Sequence, residues 1–250
     1  MDGADLVATP EMTNLVQKDR ASLFKSICTE REDLSVSAFS ALAAELGIYL
    51  LIGSLAIRVD DKVANRSFLF GKDGEILARY DKIHLFDAQV SDTESYRESA
   101  TYISGEAPTI GQVGDVGVGL SICYDLRFPA LFRGYAQSGA KILSIPAAFT
   151  VPTGKAHWDV LLRARAIESS SYVIAPAQGG EHMDGRKTYG HSKIINPWGD
   201  VMAELAHDHP GFICADLDLS DVDKMRQRIP AWNRNERYSQ DLAKSQAILK

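Results

Sequence analysis

Short apolar segments typical of strands alternate with amphipathic helical segments along most of the chain, and this alternation limits the possible folds more than any other feature. In the helix predicted over residues 35–46, apolar residues recur every three or four positions, and Gly47 supplies a C-terminal stop. Two further helices are predicted over residues 128–138 and 157–171. The predicted strands cover residues 4–8, 49–57, 67–70, 75–80, 116–123, 141–147, 172–177, 192–195, 201–205 and 212–217. Because strand–helix crossings are mixed with hairpins, the pattern predicts a layered α/β fold with a mixed sheet.

The composition favours a globular protein that acts on small molecules. The 250 residues carry 27 Lys and Arg against 33 Asp and Glu, a formal net charge of −6, which disfavours nucleic acid and anionic membranes as partners. The longest aliphatic run, residues 48–52, is far shorter than the roughly 20 residues of a membrane span, and no secretory signal is recognised. Three cysteines without a C-x-x-C motif favour a reducing compartment, so we expect a cytoplasmic protein.

No repeat, low-complexity linker or break in composition divides the chain, so a single domain is predicted over residues 1–250. A chain of this length buries a sizeable core without disulfides or metals. A polar segment poor in apolar residues begins at about residue 226. We expect this tail, residues 226–250, to be either frayed or packed against a neighbouring subunit.

Cys123 stands where a predicted strand ends and a short turn leads into the helix predicted from residue 128. A nucleophile at such a strand-to-helix elbow is exposed on a tight turn, with the following backbone N–H groups available to an oxyanion. Alternatively, Cys123 is a small hydrophobic residue of the core, since free cysteines are commonly buried. Cys28 lies in a charged segment and Cys214 in an alternating strand, so neither has a comparable context.

A cysteine nucleophile needs a base and a group that stabilises the oxyanion. None of the six histidines stands in a context that marks it as the base. Glu11 and Lys82 each follow a predicted strand, at a sheet edge where functional loops gather. Taken singly, each is more simply interpreted as a surface charge.

Three motifs occur in a fixed order: G-A-D-L-V-A-T-P-E ending at Glu11, R-Y-D-K-I-H-L-F-D around Lys82 and G-L-S-I-C-Y-D-L-R-F-P around Cys123. They resemble the catalytic signatures of the nitrilase superfamily of carbon–nitrogen hydrolases. Glu98 falls where that family places a second active-site glutamate. The resemblance implies a four-layer α-β-β-α sandwich. Family members normally begin with a strand and a long helix ahead of the first motif, so we expect the chain to lack that strand and helix.

The resemblance also implies a mechanism. Glu11 would act as general base on the Cys123 thiol, and the thiolate would attack an amide carbonyl. Lys82 and the backbone N–H of Tyr124 would hold the oxyanion, the amine would leave, and water activated by Glu11 would hydrolyse the thioester. Glu98 would orient Lys82 or assist the proton transfers. No metal or organic cofactor is required.

Other stretches narrow the substrate. A-Q-G-G from Ala177 and Y-G-H-S from Tyr189 resemble the branch that contains deaminated glutathione amidase. The T-G-K-A-H-W stretch is shared with its sister, omega-amidase. The resemblance implies an amide of a 2-oxo acid, and deaminated glutathione, cleaved to 2-oxoglutarate and cysteinylglycine, is the first hypothesis. Omega-amidase activity on 2-oxoglutaramate, or hydrolysis of another small amide or N-carbamoyl compound, is the alternative.

A 2-oxo acid requires a carboxylate site. Arg127 suits this role through a bidentate contact, and an ion pair with Asp125 or another local acid is its alternative. Phe149 and Thr153 follow the next predicted strand and would supply a wall and a hydroxyl. We expect Trp158 and Ile167, by contrast, to lie in the core, because both fall on a periodic helix face.

Two expectations concern the protein as a whole. The resemblance implies at least a homodimer, in which the helices predicted over residues 128–138 and 157–171 meet those of a second subunit. Because the first strand and helix of the family are not recognised, a catalytically inactive interaction module remains an alternative to the amidase.

Overall fold

Two β-sheets form the centre of the structure, a computed structural model that describes residues 3–90, 92 and 95–234. The strands, in chain order, are β1 (Leu6–Ala8), β2 (Tyr49–Val59), β3 (Lys62–Phe70), β4 (Ile76–Asp81), β5 (Asp87–Gln89), β6 (Ser95–Arg97), β7 (Tyr102–Ile103), β8 (Thr109–Val113), β9 (Val116–Leu120), β10 (Ile142–Ser144), β11 (Tyr172–Ala175), β12 (Gly179–Glu181), β13 (Lys187–Tyr189), β14 (Lys193–Ile195) and β15 (Val201–Glu204).

The first sheet has the order β1-β2-β3-β4, with β7 also paired to β3, and the second has the order β15-β14-β11-β10-β9-β8. Both sheets are mixed. In the first, β1 runs parallel to β2 while β2, β3 and β4 are antiparallel. In the second, β9, β10 and β11 are parallel to one another while β8, β14 and β15 pair antiparallel. Two small hairpins, β5–β6 and β12–β13, stand outside the sheets. The mixed sheet predicted from the sequence is therefore confirmed.

The helices are α1 (Arg20–Ser26), α2 (Leu34–Leu46), α3 (Pro129–Gln137), α4 (Val151–Thr153), α5 (Asp159–Ser169) and α6 (Ser220–Arg228). The ends of α2 follow from its sequence. The Asp33 carboxylate accepts hydrogen bonds from the first N–H groups of the helix. Gly47, with φ of 63°, ends the helix in the left-handed conformation that glycine adopts without a steric penalty.

Three apolar interfaces hold four layers together. Leu51 and Leu69 of the first sheet pack against Leu120 and Ile142 of the second. On the outer face of the first sheet, α2 packs onto β2 and β3. On the outer face of the second sheet, α3 and α5 pack onto apolar residues of β10 and β11, including buried Leu143. The order of layers is α-β-β-α, which confirms the fold that the resemblance implies.

Most predicted elements are present with shifted ends, but the strand predicted over residues 212–217 is wrong. Within the described part of the chain this segment pairs with no strand, although the exposure of its side chains alternates and Leu217 packs against the core between the sheets. Alternation of apolar residues marks a segment with one buried face, whereas a strand also needs a hydrogen-bonded neighbour.

The prediction that both Trp158 and Ile167 lie in the core is half wrong. Trp158 is buried, but Ile167 is 47% exposed. The core face of α5 carries Leu162 and Ala166 instead. The helix has a second apolar face directed outward, and periodicity alone does not say which of two such faces is buried.

The prediction of a polar tail that begins at residue 226 is also partly wrong. Residues 226–228 end α6, which buries Val222 and Met225 against the same chain. The Arg226 guanidinium donates to the Ala140 carbonyl and lies over the Trp232 ring. Charged residues on both sides of Val222 and Met225 concealed the short apolar face of this helix. Residues 235–250 of the predicted tail lie outside the described residues.

Candidate active site

The ends of several strands bring together the four residues that the sequence predicts as catalytic. Glu11 follows β1, Lys82 follows β4, Cys123 follows β9, and Glu98 begins a 3₁₀ turn after β6. The Lys82 ammonium lies 3.0 Å from Glu11 Oε1 and 3.0 Å from Glu98 Oε2. The Cys123 thiol lies close enough to the Glu11 carboxylate that each group shifts the pKa of the other. All four side chains therefore belong to one cluster.

The turn that carries Glu11 is held by the neighbouring strand β2. The Leu51 carbonyl accepts a hydrogen bond from the Thr9 N–H, ahead of Glu11, and the Ser54 carbonyl accepts one from the Thr13 N–H, beyond it. Ser54 also donates its N–H to the Pro10 carbonyl, and its Oγ accepts from the Met12 N–H at 2.9 Å. Gly53 is required by this close approach, because a Cβ there would overlap the carbonyl oxygens of Thr9 and Pro10. The position of Glu11 is thus fixed by the backbone of the first sheet.

Gln178, which follows β11, reaches Glu11 from the second sheet. Its side-chain amide donates to the carbonyl oxygens of Glu11 and Met12, at 3.2 Å each. Met12 has a positive φ of 52°, so this turn is a backbone conformation that needs support. Gln178 therefore fixes the Glu11 turn across the gap between the sheets.

Cys123 opens a 3₁₀ turn, Cys123–Arg127, and has a φ of 51°, which is rare for a residue with a side chain. Its N–H donates to the Pro146 carbonyl at 2.8 Å. Since Tyr124 lies in the first turn of this short helix, where N–H groups lack intrahelical acceptors, its N–H is suited to an oxyanion. The strand-to-helix elbow predicted for the nucleophile is present.

Asp125 ties the cysteine turn to the segment that carries Lys82. This fully buried carboxylate accepts from the Ile122 N–H and the Tyr80 hydroxyl at 2.8 and 2.7 Å, and from the His84 N–H at 3.0 Å. The Nδ1 atom of His84 lies 2.7 Å from the same carboxylate. The two segments, one from each sheet, are therefore held in a single hydrogen-bond network.

The electrostatics of the cluster suit a base beside a neutral thiol. Burial by itself would raise the pKa of Glu11, but the Lys82 ammonium and hydrogen bonds from Cys123, Lys82 and Asn65 outweigh it and hold that pKa below its ordinary value. Burial and the Glu11 carboxylate raise the pKa of the Cys123 thiol. Burial opposes the charge on Lys82, yet the carboxylates of Glu11 and Glu98 raise its pKa well above normal. The shifts leave Glu11 as a carboxylate and Lys82 as an ammonium beside a neutral Cys123 thiol.

A small pocket opens beside the cysteine. Its lining residues are Phe86, Cys123, Tyr124, Arg127, Ala148, Phe149, Thr150 and Thr153. All four residues predicted to bind substrate are therefore at the pocket. Phe149 is backed by the buried Trp158 ring, with centroids 4.9 Å apart, and Thr153 Oγ1 lies 2.8 Å from Thr150 Oγ1.

Arg127 makes no ion pair with a described residue, so its predicted alternative, a salt bridge with Asp125, is wrong. The Asp125 oxygens are taken up by the network described above. The Arg127 guanidinium instead lies over the rings of Tyr124 and Phe149, at 5.8 and 5.5 Å, and 3.3 Å from His157 Nδ1. A half-buried cation is therefore presented at the pocket.

Sequence reasoning missed three side chains of this site: Asn65, Gln178 and Asp125. Asn65 interrupts the apolar run of β3, and a polar residue in a buried strand is a signal that was available. Gln178 and Asp125 were visible only within motifs, because their partners lie far away along the chain.

Within the described residues no helix has the length and apolarity of a membrane span, and no group of three or more His, Cys, Asp or Glu forms a possible metal site.

Comparisons with known proteins agree with this geometry. The chain is 41% identical over 236 residues to a deaminated glutathione amidase of Synechocystis, covering 92% of this chain and 85% of the relative. It is 35% identical over 244 residues to human omega-amidase NIT2, covering 97% and 87% of the two chains. The crystal structure of Saccharomyces cerevisiae Nit3, a member of branch 10 of the nitrilase superfamily, matches with a TM-score of 0.80 at 32% identity, covering 90% of this chain and 81% of that one. The carbon–nitrogen hydrolase family model matches residues 1–227. The chain belongs to the carbon–nitrogen hydrolase family.

Proposed function

We propose that this protein is a cysteine amidase that hydrolyses the amide of a 2-oxo acid, and that deaminated glutathione is its substrate. The products are 2-oxoglutarate and cysteinylglycine. The observation that carries the proposal is the joint placement of a thiol, a carboxylate and an ammonium group beside a pocket that presents the Arg127 guanidinium. The deaminated glutathione amidase of Synechocystis, similar over most of its length, supports this substrate.

In the proposed mechanism, Glu11 takes the thiol proton and the Cys123 sulfur attacks the amide carbonyl carbon. Lys82 and the Tyr124 N–H stabilise the oxyanion of the tetrahedral intermediate. When the intermediate collapses, the C–N bond breaks and the amine leaves with the proton from Glu11. Water then gives a proton to Glu11 and attacks the thioester, which releases the carboxylate and restores the thiol.

Glu98 keeps Lys82 charged and in place in this mechanism. Both Glu98 oxygens lie within hydrogen-bond distance of the Lys82 ammonium, at 3.2 and 3.0 Å, and Glu98 Oε2 also accepts from the Phe86 N–H. Once Glu11 has accepted the thiol proton it no longer carries a counter-charge to Lys82. The ammonium is then available to the developing oxyanion at the moment when that charge forms.

Arg127 is proposed to bind the carboxylate of the 2-oxo acid. A guanidinium with no ion-pair partner among the described residues, held over two aromatic rings, is oriented for a bidentate contact at little entropic cost. Phe149 forms one wall of the pocket, and Thr153 offers a hydroxyl near its rim.

The substrate is tested by comparing deaminated glutathione with 2-oxoglutaramate, with release of 2-oxoglutarate as the common readout. We expect a clearly higher kcat/KM for deaminated glutathione. A higher value for 2-oxoglutaramate would instead assign omega-amidase activity. Hydrolysis of neither substrate, together with equal iodoacetamide labelling of Cys28, Cys123 and Cys214, would favour the inactive interaction module.

We also propose that residues 1–250 form a single domain and that two copies associate through α3 and α5. The outward face of α5 presents Val160 and Ile167, and Trp198 is exposed nearby, beside the glycine that contacts Ile167. Such a patch favours association with a second copy. A monomer in sedimentation would contradict the proposal, whereas a dimer that dissociates in a Val160→Glu, Ile167→Glu variant would support it.

We further propose a cytoplasmic location for the protein. Its three free cysteines support this location, because a reducing compartment keeps thiols unpaired.

A further inference from the structure

Asn65 on β3 lies between the two carboxylates of the cluster. Its Nδ2 atom is 2.9 Å from Glu11 Oε1 and 3.4 Å from Glu98 Oε1, and the residue is completely buried. Its Oδ1 atom has no hydrogen-bond partner among the described residues. Burying an amide oxygen without a partner costs stability, so the contacts of the amide nitrogen with the two carboxylates are what this residue contributes.

Each carboxylate oxygen can accept two hydrogen bonds, which gives each glutamate four acceptor positions. On Glu98 all four face a donor. Oε1 is approached by Asn65 and Lys82, and Oε2 by Lys82 and the Phe86 N–H. Glu98 therefore has no position left to accept a proton from the cysteine.

Glu11 differs from Glu98 at one of its four hydrogen-bond acceptor positions. Oε1 is approached by Lys82 and Asn65, and Oε2 by the Ala148 N–H at 2.8 Å. The fourth position, on Oε2, faces no donor among the described residues. The one acceptor position left open on the two glutamates therefore belongs to Glu11, the carboxylate that shifts the pKa of the Cys123 thiol.

We propose that Asn65 is a positioning residue that directs the thiol proton to Glu11, through its Oε2 atom, rather than to Glu98. The Asn65 amide nitrogen has only hydrogens to offer, and Lys82 takes the second position of each oxygen that it faces. Neither of these two oxygens can therefore take a proton without a clash of two hydrogens. The inference rests on the proposed roles of Glu11 and Cys123. In the step concerned the S–H bond breaks, the proton binds Glu11 Oε2, and the electron pair stays on sulfur and attacks the carbonyl. The cluster keeps one net negative charge throughout.

The test compares Asn65→Leu, which removes both N–H donors at similar volume, with Asn65→Asp and with Ser67→Ala. Ser67 is a matched control, since it is equally buried on the same strand but donates to the Ile52 carbonyl rather than to a carboxylate. We expect Asn65→Leu to lower kcat/KM by about 10- to 100-fold, because a misplaced base is costly. KM should change little, and the acid limb of the kcat/KM profile should move to higher pH. Ser67→Ala should stay within about twofold of the wild type.

Asn65→Asp gives a sharper readout. Glu11 and Glu98 contact this position, and the other charged or titratable groups that interact electrostatically with those two carboxylates are Lys82, Cys123 and, on β7, Tyr102. The introduced carboxyl can donate only while it is protonated. We therefore expect activity to be retained best at the acidic end of the profile and to fall as pH rises, opposite to the wild type on its acid limb.

The alkylation rate of Cys123 by iodoacetamide, relative to the exposed Cys28, provides a readout independent of substrate. This ratio should fall in Asn65→Leu and not in Ser67→Ala. The proposal is overturned if Asn65→Leu keeps the wild-type rate and acid limb, or if Ser67→Ala causes the same loss as Asn65→Leu. If Glu11→Gln is as active as the wild type, the proposed base itself fails. If Glu11→Gln is inactive and Asn65→Leu is normal, only the role of Asn65 fails.

Discussion

The first sheet and the second sheet contribute different kinds of structure to the active site. The first supplies Glu11, Asn65 and Lys82, which lie on strands or directly after them and are almost completely buried. The second supplies Cys123 and most of the pocket from turns and loops that follow its strands, and its Arg127 is half-buried. The charged groups of the chemistry are thus held rigidly by one sheet, while the groups that meet substrate lie on turns of the other. Substitutions of the charged groups on the first sheet should change kcat, as should loss of the Cys123 nucleophile, whereas substitutions of the other pocket residues on the second sheet should change KM.

Lys82→Met is expected to have the largest effect. Loss of an oxyanion donor lowers kcat by about 10²–10³-fold. Because two buried carboxylates lose their ammonium partner, the free energy of unfolding should also fall, by about 3–5 kcal/mol. Steady-state kinetics and urea unfolding measure the two effects. A variant that loses stability but keeps kcat would show that Lys82 is structural only.

Gly53→Ala tests whether the backbone of the first sheet places Glu11. The added Cβ would displace Thr9 and Pro10, and a shift of about 1 Å in a catalytic group can cost roughly 10²-fold in rate. Gly134→Ala is the control, since Gly134 lies in α3 with open space around it. That change should leave kcat unaltered and, because alanine is the better helix former, should raise stability by up to about 1 kcal/mol. Equal kinetics for both variants would contradict the placement of Glu11 by β2.

Arg127→Met tests whether the pocket residues of the second sheet determine KM. A charged hydrogen bond contributes about 1.5–3 kcal/mol, so KM for a 2-oxo acid amide should rise roughly 10- to 100-fold while kcat changes little. Arg127→Lys keeps the charge without the planar fork and should fall between Arg127→Met and the wild type. The matched measurement uses an amide without the carboxylate, which should show no dependence on Arg127. A large loss of kcat for both kinds of substrate would place Arg127 in the chemistry instead.

The smallest expected effect is the dependence of stability on pH. The pKa of Glu11 is lower in the folded protein than in the unfolded chain, so Glu11 contributes stability above its unfolded pKa. That contribution is lost as pH falls through the folded pKa, at about 1.4 kcal/mol for each unit of difference. The gap in unfolding free energy between the wild type and Glu11→Gln should therefore narrow in acid. A gap that does not change with pH would contradict a Glu11 carboxylate held ionised by Lys82.

The sequence predicted the groups that carry the proposed chemistry better than the groups that hold them. Glu11, Lys82, Cys123 and Glu98 stand in motifs, and the apolar periodicity around them predicted most strands and helices. Gln178 and Asp125 were missed because their importance comes from partners distant in the chain, whereas the signal of Asn65 was a polar residue within an apolar strand. The wrong strand over residues 212–217 and the wrong burial of Ile167 share one cause. A periodic pattern identifies an apolar face, but tertiary packing decides what that face meets.

The most direct test of the central claim is to trap the acyl enzyme. The wild type is mixed with deaminated glutathione, quenched in acid during turnover, digested, and examined by mass spectrometry, with Cys123→Ala as the control. The account predicts that the peptide containing Cys123 carries the 2-oxo acyl group, and that peptides containing Cys28 and Cys214 do not. Continued hydrolysis by Cys123→Ala, or turnover by the wild type with no acyl group on Cys123, would contradict it.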